Sequence, residues 1–126
     1  ENYVYIGGRS EELDAYILKA YDMEGNHLLT FGEKGKDGDD WLAYVSQIME
    51  IPEGFFGIDA NMRDLYIWGP DASVLGSVEA PDLFGARYAW IAGAAKQDDG
   101  SILVALTQDR DDDSATELLL YRLSGF

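Results

Sequence analysis

Apolar residues in this chain come in short runs broken by clusters of Gly, Asp, Asn and Pro. Tyr16–Tyr21 (YILKAY) is rich in β-formers. Asp22–Asn26 interrupts it, and Gly25 can take positive φ there without a Cβ clash, so the chain can reverse. His27–Phe31 resumes the apolar pattern, and the glycine-rich stretch Gly32–Gly38 cannot be a strand interior. Further strands are expected at Asn2–Gly8, Phe55–Ala60, Leu65–Trp68, Val74–Val78, Tyr88–Ala95, Ser101–Thr107 and Glu117–Leu123. Pro52–Gly54, Gly69–Ser73 and Lys96–Gly100 supply turns, the last of Asp-Gly type. Arg9–Asp14, Glu79–Arg87 and Gln108–Thr116 read as polar connections or loops. In Trp41–Ile51, Leu42, Val45, Ile48 and Met49 fit one helical face, with a helix start after Asp39 or Asp40. The sum is an all-β chain of about ten short strands.

The pattern repeats. Tyr16-Ile17, a polar turn and Leu28-Leu29 correspond to Tyr66-Ile67, the turn at Pro70-Asp71, and Val74-Leu75. Tyr3–Ile6 precedes the first set as Phe55–Ile58 precedes the second, and Ile102–Leu106 with Leu118–Tyr121 gives the pair a third time. Equivalent positions lie roughly 46 to 53 residues apart, the period of a propeller blade. The predicted fold is therefore β-propeller-like: a partial blade over 1–38, a blade over 39–80 and a partial blade over 81–126. The first would hold strands two to four of a blade and the last strands one to three. A small β-sandwich or barrel is the alternative, with the repeat then fortuitous. A blade that stops partway leaves an unpaired strand edge to be covered.

Two segments carry a family resemblance. LLTFGEKGKDGDD (Leu28–Asp40) holds Phe31-Gly32-Glu33-Lys34-Gly35, and IPEGFFGIDANMRDLYIW (Ile51–Trp68) holds Pro52-Glu53-Gly54 and a strand ending at Ile58-Asp59. They resemble NHL-type and related six-bladed β-propeller repeats. The Asn-x-Arg signature expected after the third strand is absent beyond Trp68, acids occupy the glycine-rich loop, and the third unit matches only by its strands. The resemblance implies a strand at Tyr44–Ile51 and a propeller fold. It implies no single activity, because propellers host many.

Composition narrows the classes. The chain has 126 residues, 47% of them hydrophobic, enough for one domain with a core. It has no cysteine, so disulfides and thiolate metal sites are excluded. No apolar run is long enough to span a bilayer as a helix. It begins at Glu1 rather than Met, as a processed or excised chain would, which points toward secretion or a periplasmic location. With 24 acids against 9 bases the formal charge is −15, which disfavours nucleic acid as a partner.

Candidate chemistry is sparse. Propeller lactonases and related hydrolases or lyases need several inward-facing metal ligands, and the single histidine, His27, sits beside a turn. No Gly-x-Ser-x-Gly elbow is present, and Gly32, Gly35 and Gly38 lack a following Lys-Ser/Thr. Calcium is the best metal candidate: Asp109, Asp111 and Asp113 alternate, with Glu117 beyond. An EF-hand would need glycine where Ser114 stands and glutamate where Leu120 stands. A solvated hairpin tip explains the same acids, as it explains Asp37, Asp39 and Asp40. Trp41, Trp68, Trp90 and Tyr88 are candidates to line a ligand surface, against the commoner use of aromatics in packing. The expected function is a non-enzymatic binding or scaffold module with no cofactor other than a candidate calcium, and the alternative is a fragment of a propeller hydrolase, lactonase or lyase. Its ring would be completed by a second copy or by a missing propeller segment.

Overall fold

A computed structural model describes residues 2–34, 41–60, 64–85, 88–109 and 116–125, with backbone alone at 88, 89, 109 and 116. Among the described residues ten strands form three antiparallel sheets. The first holds β1 (Val4–Ser10), β2 (Ala15–Tyr21) and β3 (His27–Phe31) in that order. The middle sheet holds β4 (Val45–Ile51), β5 (Gly54–Asp59), β6 (Asp64–Trp68) and β7 (Val74–Glu79). The last holds β8 (Tyr88–Lys96), β9 (Ile102–Asp109) and β10 (Thr116–Leu123). The all-β class is as the sequence predicts, and among the described residues no sheet closes into a barrel.

The sheets stack face to face, with the middle one buried on both sides. Successive residues of a strand project to opposite faces, so β5 divides its side chains between two cores. Phe55 joins Leu18, Ala20 and Phe31 of the first sheet, together with Tyr66 and Trp68. Phe56 and Ile58 turn the other way and meet Ile102, Val104 and Leu106 of the last sheet. A central strand with no solvent face reads as a near-continuous apolar run, which is what Phe55–Ile58 is. This three-layer stack of antiparallel sheets fits a partial propeller or a sandwich.

Gly57 is required by this packing. A Cβ there would collide with the Trp68 ring, which stacks on Tyr66 with centroids 5.1 Å apart.

Element bounds follow the expected strands closely, with one correction. Glu79–Arg87, expected as a loop, contains a helical turn, α1 (Ala80–Phe84). Pro81 stands in its first turn, where its missing N–H costs nothing, and Asp82 favours the same turn. The turn buries Ala80 and Phe84, and Gly85 ends it at φ 100°. Two apolar residues spaced four apart are too short a pattern to separate such a turn from a loop. At Trp41–Ile51 the strand reading holds from Val45 onward.

Candidate functional site

Four groups of residues have properties that packing alone does not require: the aromatics, the acids, the terminal sheet faces and the cavities at the sheet edges.

The aromatic candidates do not converge. Trp68 is fully enclosed in the core between the first and middle sheets, edge-on to Phe31, and its Nε1 has no hydrogen-bond partner among the described residues. Trp41 is partly exposed, and its carbonyl accepts a bond from the Tyr66 hydroxyl at 3.3 Å. Trp90 is 60% exposed and, with Tyr44 and Gln47, lines a cavity between β4 and β8. The Tyr88 side chain lies outside the described residues.

The acidic candidates are only partly visible. Asp111 and Asp113 lie outside the described residues, as do Asp37, Asp39, Asp40 and the side chain of Asp109. Glu117 lies on β10 opposite Gln108. Among the described residues no group of three or more His, Asp or Glu is placed to hold a metal ion. His27 is exposed, its Nε2 2.9 Å from the Thr30 hydroxyl and 3.0 Å from the Leu29 carbonyl.

Other acids have clear structural tasks. Asp59 is fully buried, and its carboxylate accepts the N–H groups of Ala43 at 2.6 Å and Tyr44 at 3.1 Å. It thereby fastens the segment that leads into β4. The same row of the middle sheet carries two more acids, since Asp59 pairs with Asp64 and Asp64 with Glu79. Partial burial, then the charges of Glu79 and Asp59, raise the Asp64 carboxyl above its ordinary range.

Asp71 and Asp99 perform a second task. Each binds the N–H and hydroxyl of a serine two residues on, Ser73 and Ser101, within a turn of common form. In that turn Gly69 and Gln97 donate to the carbonyls of Ser73 and Ser101, while Ala72 and Gly100 donate back. Asp22, Gly25 and Asn26 repeat the same backbone pattern in the first sheet. All three carboxyls are held below their ordinary range by these hydrogen bonds, the side-chain bond foremost.

The outer faces of the stack are the largest unexplained feature. On β9, Ile102, Val104 and Leu106 turn inward, so Leu103, Ala105 and Thr107 turn outward. Leu120 and Leu118 on β10 stand opposite Ala105 and Thr107 on that same outward face, 70% and 69% exposed. At the other end, Val4 and Ile6 on β1 stand opposite Tyr21 and Lys19, and Ile17 opposite Gly8. Ile6 is 59% exposed and Val4 43%. Both ends of a stack whose middle sheet is packed by such rows thus present rows of their own.

Two cavities mark the sheet edges. One of about 310 Å³ lies between β1 and β2 of the first sheet and β4 of the next, lined by Tyr5, Gly7, Tyr16, Val45, Gln47 and Ile48. Gln47 Oε1 is buried and has no partner among the described residues. The larger, about 460 Å³, lies between β6, β7 and α1 on one side and the end of β10 on the other.

No protein-family model matches the chain, and no curated protein matches it in sequence.

Proposed function

We propose that the chain is a β-propeller segment of the NHL-like kind that serves as a non-enzymatic interaction module. Its two terminal sheet faces stack against those of a second copy to complete a ring. The observation that carries this reading is the pair of outward apolar rows, Leu118 and Leu120 at one end and Val4 and Ile6 at the other. Exposed apolar side chains grouped on one face favour an interaction surface there. The contact is heterologous, the last sheet of one copy on the first sheet of the other, and such contacts form rings when the rotation closes. Three blades per copy suit a six-bladed ring.

The cysteine-free chain offers a direct test. Single variants Ile6→Cys and Leu118→Cys place one thiol on each outward face. On mild oxidation an equal mixture of the two should give nearly all mixed disulfide dimer, well beyond the share of about one half that random pairing yields. A mixed share of about one half or less, or absent cross-linking, contradicts the stacking.

A further inference from the structure

We infer that the cavity between β4 and β8 is a binding site for an alkylammonium group, carried by a free primary amine or by the end of a lysine side chain. This goes beyond the stacking of copies proposed above and does not depend on it.

The cavity, about 280 Å³, is walled by Tyr44, Ser46 and Gln47 in and just before β4, by Ile58 of β5, and by Trp90 and Ile91 of β8. Both flanking strands break register beside it. The pairing of β4 with β5 skips Ser46, between Val45 and Gln47. That of β8 with β9 shifts between Tyr88 and Trp90 and again between Ile91 and Gly93. Irregularities of this kind re-aim side chains and recur beside binding sites. The cavity of about 310 Å³ between β4 and the first sheet shares Tyr44, Ser46 and Gln47 with it.

Gln47 thus stands in the wall of both cavities, and its Oε1 is buried without a hydrogen-bond partner among the described residues. A buried acceptor left without a donor is costly, and the terminal torsion of glutamine is soft enough to turn the oxygen toward a donor in the cavity. Tyr44 and Trp90, 49% and 60% exposed, supply aromatic surface, which attracts a cation. Among the described residues no lysine or arginine lines either cavity, so no positive side chain opposes one. The net charge of −15 draws cations toward the chain. An ammonium carries three donors and no acceptor, which suits the oxygen of Gln47. Ile58, Ala60 and Ile91 offer apolar contact for a short hydrocarbon stem. An anion would find no cationic partner here. A neutral alcohol would bring a single donor and forgo the attraction between cation and aromatic ring.

The probe is n-pentylamine, protonated at neutral pH, titrated into the intact isotope-labelled chain and followed by amide NMR. Salt of about 0.15 M screens diffuse attraction to the surface acids. Saturable shifts are expected at the amides of residues 44–47 and 90–93, half-complete at or below about one millimolar. n-Pentanol, which has the same stem without the charge, should bind roughly tenfold more weakly. Gln47→Leu removes the acceptor and should weaken the amine roughly tenfold. Gln47→Glu keeps acceptor oxygens and adds a charge, and should strengthen it. Leu75→Gln, exposed on β7 outside the cavity, should change nothing. Nα-acetyl-lysine N-methylamide carries the same ammonium on a backbone. Tighter binding than pentylamine assigns the group to a polypeptide, and weaker binding assigns it to a free amine. Shifts that spread over the acidic surface, or fail to saturate by about ten millimolar, overturn the proposal. So does equal binding of pentanol, or indifference to Gln47→Leu when the other amides show the fold kept.

Discussion

Asp59 shows how much one side chain can decide. Its carboxylate holds two amides of the approach to β4 while fully buried. Asp59→Ala leaves both donors without that acceptor and should cost about 3 kcal/mol in urea unfolding, with Asp59→Asn costing less because one acceptor oxygen remains. Asp64, one strand over, behaves oppositely. Its carboxyl is raised by burial and by its acidic neighbours, so the folded state binds the proton more readily than the unfolded chain does. Stability due to this group therefore rises as pH falls through the raised value, and the ionised form is a burden at neutral pH. Asp64→Asn should raise the melting temperature at pH 7, and the gain should vanish below the ordinary carboxylate range. A melting series across pH checks both limits. The sequence marks Asp59 as the end of a strand but not as the anchor of Ala43 and Tyr44, because that contact joins segments about 16 residues apart. Trp68 and Trp90 are alike in local context, yet one is enclosed and one is 60% exposed. Only the stacking of sheets separates them.

At the scale of elements, the strands were legible and the reasons are physical. Runs such as Ile102–Leu106 and Phe55–Ile58 are β-rich and bounded by turn residues. The shared turn geometry at Asp22, Gly69 and Gln97 follows the sequence signals, with positive φ at Gly25, Ala72 and Gly100. Ala72 was not legible as a left-handed residue, since alanine has no preference for that conformation. Helix α1 escaped because five residues give too little periodicity. Gly57 is a close-packing site against Trp68. Gly57→Ala should destabilise the chain by about 1–3 kcal/mol through overpacking. Circular dichroism with denaturant titration would show it as a lowered midpoint with an unchanged slope.

For the whole molecule, the decisive property is that the stack has two ends. The middle sheet is covered on both faces and the outer two on one face each. The short strands and their turns pointed to antiparallel sheets, but which residues would be left uncovered depended on the register of β10 on β9 and of β1 on β2. A change of one residue in either register would turn Leu118 or Ile6 inward. The candidate aromatic surface was not legible in the same way, because Trp41, Trp68 and Trp90 occupy unrelated places in the stack. The charge of −15 opposes association of like copies, so pairing through the apolar faces should strengthen with added salt. Absolute mass by light scattering after size exclusion, over a range of concentrations and at two ionic strengths, tests the central claim most directly. The predicted result is a species of about twice 14.0 kDa that grows with concentration and salt and is lost in the Leu118→Asp, Leu120→Asp double variant. A chain of 14.0 kDa at every concentration and salt would contradict it.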